Sequence, residues 1–273
     1  ALSPLASLRT VEPDNARAVE LSALAYERVE SPAQACTMYE KYLSMPEGEK
    51  NKDYAFRAGQ LYEARKMEKE AVERYRKNMA LFPGDLRNHK RLVTLYLAGD
   101  NHKEALSVLE KAVEVEGAPS ELREKAVAVR RRIADEYFDA KQWQSAEREY
   151  RILEQATPRD RTVLLRLTRI YLHADQIGKA EEYLGKVRAV GEPDAETLLS
   201  FARALADADR SAGAIELYRA CLEKDPRNEN ALKELADLQR AAGRHEEAAR
   251  SYAALFELDH DAHKEELIEA GRL

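Results

Sequence analysis

The sequence predicts an all-α chain, a right-handed α-solenoid of tandem helix-turn-helix units. Three observations predict it. The 273 residues carry 34% charged residues but only 11 Gly and 9 Pro, too few turn formers for a β protein. Apolar residues recur at three- and four-residue spacing, the mark of amphipathic helices. The chain also repeats itself, with alanines at 35, 71, 105, 146, 180, 214 and 248, spaced 36, 34, 41, 34, 34 and 34.

The alanine frame organises the rest. Four residues after each alanine stands a ring or Leu: Tyr39, Tyr75, Leu109, Tyr150, Leu184, Tyr218 and Tyr252. Nine before stand Tyr26, Tyr62, Tyr96, Tyr137, Tyr171, Leu205 and Gln239. Twelve before stand the mostly small Ala23, Gly59, Val93, Ala134, Thr168, Ala202 and Ala236. Small residues are needed where two helix backbones approach closely, and a ring fills the gap beside them. Asp100, Asp175, Asp209 and Gly243 suit the turn inside a unit. Pro83, Pro158 and Pro226 end the second helix, because proline cannot continue it. The rings and alanines read as core, and Cys221 reads as a small core hydrophobe.

This pattern resembles the tetratricopeptide repeat family, whose period is 34. The copy from Ala195 to Asn228 carries it most clearly, in Leu198, Phe201, Ala202, Leu205, Ala214, Tyr218, Cys221 and Pro226. Seven copies follow in order: 16–49, 52–85, 86–119, 127–160, 161–194, 195–228 and 229–262. Residues 1–15, with Leu5, Leu8, Val11 and Pro13, read as the end of a preceding repeat or an N-terminal cap helix. Residues 263–273 read as the start of an eighth repeat or a C-terminal cap helix, from Leu267, Ala270 and Gly271. Both ends therefore look like cut repeats of a longer array. The spacing of 41 places a helical insertion at 120–126, which lengthens the first helix of the fourth repeat by about two turns.

Several functions are disfavoured. The net charge is −6, against the basic surface that nucleic acid demands, so no specific nucleic-acid partner is expected. No apolar run approaches the roughly 18 residues of a membrane span. Cys36 and Cys221 form no disulfide framework and fit a reducing compartment. Phosphate-loop, Gly-x-Ser-x-Gly and His-Glu-x-x-His motifs are missing, so no enzyme and no cofactor is expected. His260 and His263, beside Asp259 and Asp261, look most like metal ligands but read as a solvated turn.

The resemblance implies a groove lined by first helices. Carried over by position, it holds Arg87, Lys90, Arg91, Thr94 and Leu97, then Arg131, Arg132, Asp135, Phe138 and Asp139. Thr162, Leu165, Arg166, Arg169, Leu172 and His173 follow, then Glu196, Leu199, Ser200 and Arg203. Arginines beside exposed Phe138, Leu165, Leu172 and Leu199 would suit an acidic, partly apolar protein segment. The alternative is an anionic polymer such as acidic polysaccharide. The basic clamp of chaperone-tail binders is not reproduced, since Thr94 and Arg132 stand where its asparagines belong. With 28 Arg against 16 Lys the composition looks bacterial. The resemblance extends to the periplasmic repeat region of an exopolysaccharide export protein within an envelope or secretion assembly. A cytoplasmic assembly factor is the alternative, and the oligomeric state is left open.

Overall fold

The computed structural model describes residues 2–258, together with 263–265, 268 and 271. Fifteen helices and no strand occur among the described residues. They fall into two compact units, Ala1–Arg132 and Ile133–Leu273.

The first unit begins with α1 (Leu2–Val11), which packs on α2 (Ala16–Arg28). Hairpins then follow: α2 with α3 (Pro32–Leu43), α4 (Lys52–Ala64) with α5 (Glu68–Leu81), and α6 (Leu86–Ala98) with α7 (His102–Val113). Helix α8 (Ser120–Asp139) runs 20 residues, against 13 in α2, α4 and α6. Its length covers the stretch where the sequence places its insertion.

The second unit holds the end of α8 and α9 (Trp143–Ala156), then α10 (Arg161–His173) with α11 (Ile177–Val190). Helices α12 (Ala195–Asp207) with α13 (Ser211–Lys224), and α14 (Glu229–Ala241) with α15 (His245–Leu258), complete it.

Each hairpin is built the same way. All seven frame alanines are fully buried, as are Tyr39, Tyr75, Leu109, Tyr150 and Leu153. At Gly59 the first and second helices approach so closely that a Cβ would stand 2.4 Å from the Tyr75 ring. First helices open on a side-chain cap: Asn15, Asn51, Asp85, Asp160, Asp194 and Asn228 each accept from a backbone N–H of the first turn.

The turn between paired helices has one fixed geometry. Glu30, Lys66, Asp100, Lys141, Asp175, Asp209 and Gly243, each five residues before its alanine, sit at positive φ. The next residue donates back to the carbonyl nine before the alanine, as from Asn101 N to Tyr96 O at 2.8 Å and from Gln142 N to Tyr137 O at 2.8 Å. This left-handed closure satisfies the last carbonyls of the first helix. Asp100, Asp175, Asp209 and Gly243 tolerate it well, whereas Glu30, Lys66 and Lys141 have no such aptitude. Cys36 and Cys221 are both free and buried.

Candidate functional site

The expected groove residues are described unit by unit. In the first, Arg87 stands in the opening turn of α6. It donates through Nε and Nη2 to Asp85, and through Nη2 to Asp53 at 2.7 Å. Its guanidinium also covers the Phe56 ring, 4.8 Å from the centroid. These bonds from Arg87 hold the Asp85 carboxyl below its usual range, against a burial that pushes it up.

Arg91 reaches back to Glu63 on the preceding first helix, donating through Nε at 2.9 Å and through Nη2. Glu63 also accepts the Tyr75 hydroxyl at 2.5 Å. The same arrangement occurs one repeat earlier, where Glu27 accepts from Tyr39 at 2.7 Å and from Arg57 Nε at 2.5 Å. Arg132 lies 3.4 Å from Asp100. Lys90 is exposed, and its carbonyl accepts the Thr94 hydroxyl at 2.9 Å. Arg131 is half-buried on α8.

In the second unit, Asp135 takes the place of the glutamates. It accepts the Tyr150 hydroxyl at 2.5 Å, and Arg166 Nε lies 3.7 Å away. Arg166 also stacks over Phe138 at 4.3 Å. Arg169 donates through Nη2 to Asp194 at 2.9 Å and through Nε to the Thr197 hydroxyl at 3.1 Å, with Glu196 a further 3.0 Å partner. Arg203 meets Glu234 through Nε at 2.8 Å and Nη2 at 2.6 Å. His173 is exposed and lies flat on Trp143, ring centres 4.3 Å apart and 14° from parallel.

Two expectations are corrected. Phe138, Leu165 and Leu199 were expected to be exposed, yet each is buried to about nine-tenths, at 9%, 8% and 8% exposure. Phe138 is covered by Trp143 and Tyr150, edge to face at 5.3 and 6.3 Å, and by Arg166. Leu165 lies on α10, which is flanked by α9, α11 and α12 and so buries most of its circumference. Leu199 lies on α12, packed between α10 and α13. Leu172 alone of the four is half-exposed.

The second correction concerns charge. In the sequence the arginines of the expected groove read only as suited to an acidic partner, with no partner inside the chain. Instead Arg87, Arg91, Arg132, Arg166, Arg169 and Arg203 each stand beside a carboxylate of their own unit. A signal for this existed. Arg57, Arg91, Arg132 and Arg166 all stand fourteen before their alanine, and acids stand eight or eleven before at Glu27, Glu63 and Asp135. The pairs join residues about 30 apart, so they are invisible to a search at helical spacing.

The profile of the tetratricopeptide repeat family matches residues 199–262. Residues 199–262 carry tetratricopeptide repeats. Those matched residues span most of α12 through α15, and the same helical-hairpin construction runs through the helix pairs before them. No curated protein matches the sequence.

Among solved structures, Naa15/Naa10 bound to HypK is similar with a TM-score of 0.57 at 15% identity, over 94% of this chain and 39% of that chain. This chain thus spans about two fifths of that one, and the likeness is one of fold. MamA is similar at 19% identity and a TM-score of 0.46, over 54% of this chain and 86% of its own. The TPR2AB domain of yeast Sti1, in complex with pHSP90, gives 14% and 0.45, over 94% and 98%.

Among the described residues no group of three or more His, Cys, Asp or Glu side chains is placed to hold a metal ion. Asp259, His260 and Asp261 lie outside the described residues, as do Leu267 and Ala270. His263 Nε2 lies 3.9 Å from Glu229. Among the described residues no helix is long and apolar enough to cross a membrane.

Proposed function

We propose that this chain is a non-catalytic scaffold that holds an acidic, partly apolar segment of a protein partner on its first-helix faces. Tetratricopeptide repeats are an interaction fold, which supports the scaffold part of the reading. One observation carries the rest. Arg87, Arg91 and Arg203 engage their internal carboxylates through Nε and Nη2, and Arg169 engages Asp194 through Nη2 and the Thr197 hydroxyl through Nε. That leaves the Nη1 edge of each planar fork for an incoming acceptor.

The internal acids act as braces. They fix the guanidinia before any partner arrives, so little side-chain freedom is lost on binding. A charge-assisted contact to a partner carboxylate is stronger than a neutral one. Apolar contact comes from Leu172, half-exposed beside His173, rather than from the buried Phe138, Leu165 and Leu199.

We place this scaffold in a bacterial multi-protein assembly of the envelope or secretion apparatus, with the periplasmic repeat region of an exopolysaccharide exporter as the leading candidate. The excess of Arg over Lys supports the bacterial origin. A carboxylate beside each arginine counts against a bare anionic polymer as ligand, because its charges would meet both signs.

The test is capture from an extract of the source cells, with wild type beside an Arg131→Glu, Arg166→Glu, Arg169→Glu variant. Circular dichroism checks that the variant stays helical. A protein held by wild type and released by the variant is the expected result. A partner that stays bound to a folded variant places the contact elsewhere.

A further inference from the structure

A second surface lies in the first unit, between the second helices α5 and α7, with α6 as its floor. The cavity there measures about 1020 Å³, at the upper end of the size of ligand pockets. Met79, Ala80, Pro83, Val108 and Val115 give it apolar walls. Tyr96 and His89 rise from the floor.

The Tyr96 hydroxyl is the informative atom. Tyr96 is 7% exposed, and its hydroxyl has no hydrogen-bond partner. A buried polar group is ordinarily paired, so an orphan calls for a reason. The repeat holding Tyr171 shows what is missing. There the equivalent hydroxyl lies 2.9 Å from Glu147, one residue after Ala146. One residue after Ala71 stands Val72, which has nothing to accept with. Arg76 takes the place of Arg151 and lies over the Tyr96 ring at 5.5 Å, contributing no acceptor.

His89 supplies the opposite polarity. Burial holds its pKa below the usual range, which favours the uncharged ring. Its Nδ1 lies 3.3 Å from the Asp85 carbonyl, and the tautomer that donates there leaves Nε2 as an acceptor. The floor thus offers one donor and one acceptor, seven residues apart on α6. That separation is about 10 Å, the reach of about three residues of extended chain. A peptide backbone presents both a carbonyl and an N–H at such intervals. Three acids, Glu104, Glu114 and Glu116, line the cavity against two bases, Arg76 and Lys111, and Glu114 and Glu116 are exposed and form no ion pair among the described residues.

We infer that this groove holds an extended peptide segment of a protein partner. A backbone carbonyl accepts the Tyr96 hydroxyl, an apolar side chain lies against Met79, Ala80 and Pro83, and a cationic side chain faces Glu114 and Glu116. The occupant differs in charge from the acidic segment of the first-helix faces, and the two sites are independent.

The probe is a phage-displayed library of random linear dodecamers, selected on the whole chain. The leading synthetic peptide is then titrated by fluorescence polarisation. Enriched peptides should combine an apolar residue with Lys or Arg. Ala80→Arg, an exposed site on α5, should weaken binding at least tenfold. Tyr96→Phe should weaken it about fivefold with an unchanged melting temperature. The Arg166→Glu, Arg169→Glu variant should bind as wild type does, which separates this groove from the first-helix site. Failure to enrich any peptide overturns the inference. So does enrichment of peptides that ignore Ala80→Arg and Tyr96→Phe, or that are lost only with the first-helix variant.

Discussion

Arg203 and Glu234 stand 31 residues apart in sequence and meet fork to fork, Nε at 2.8 Å and Nη2 at 2.6 Å. Glu234 also accepts the Tyr218 hydroxyl at 3.0 Å. One carboxylate therefore ties the first helix of one repeat to both helices of the repeat before it. Arg203 is 44% exposed, so solvent screens the pair. A double-mutant cycle of Arg203→Ala and Glu234→Ala should give a coupling of about 0.5–1 kcal/mol in urea unfolding. Coupling near zero would make the contact incidental.

The turn residues give a stabilisation test. Lys66 and Lys141 sit at φ of 57° and 56°, where a Cβ is costly. Lys66→Gly and Lys141→Gly should each raise stability by up to about 1 kcal/mol, reduced by glycine's freedom in the unfolded chain. The same change at Asp100 should gain less, since aspartate adopts this conformation more readily. Chemical denaturation of the three variants side by side checks the ranking.

Gly59 should resist enlargement. An added methyl would meet Tyr75, which is fully buried and has no room to retreat. Alanine's better helix propensity returns up to about 1 kcal/mol, so Gly59→Ala should cost a net 1–3 kcal/mol, approximately. A melting temperature at or above wild type would show that the backbones separate freely.

Stability should fall at both ends of the pH scale. Asp85 is held low by Arg87, so its folded pKa lies under the unfolded one. Asp194 is also held low: burial raises it, but Thr197 and Arg169 outweigh that. Their contribution is present at neutral pH and is lost as pH falls below about 4. Tyr54 moves the other way, pushed up to about 12 by burial and by its bond to Glu20. The contribution of Tyr54 is complete below the unfolded value of about 10, and is lost as pH rises through 12. Tyr39, Tyr75 and Tyr150 are raised further, by burial and by their acid partners. Melting temperatures across the range check both limbs. Tyr75→Phe should flatten the alkaline one.

The repeats were legible because their signal is local and recurrent. Ala35 and its six counterparts sit at helical positions that admit only a small side chain, and the same choice appears at each. The long α8 was legible for the converse reason, since one spacing departs from the rest. The side-chain environment of the first-helix face was not. Burial of Phe138 depends on Trp143, Tyr150 and Arg166, three residues on two other helices. The pairing of Arg91 with Glu63 likewise needs two repeats to be stacked before the residues meet. Glu30, Lys66 and Lys141 escaped notice as turn residues because nothing in their chemistry announces a left-handed backbone. Only their place five before the alanine does so.

The most direct test of the scaffold account is a polarisation titration with a labelled peptide alternating Glu and Leu, at low and high salt. Wild type should bind it. Arg87→Lys, Arg91→Lys, Arg169→Lys and Arg203→Lys together, folded by circular dichroism, should bind at least tenfold more weakly, because the charge remains but the free edge of the fork is gone. Binding unchanged by this replacement would contradict the account, since any cation would then serve and the braced arginines would be structural alone.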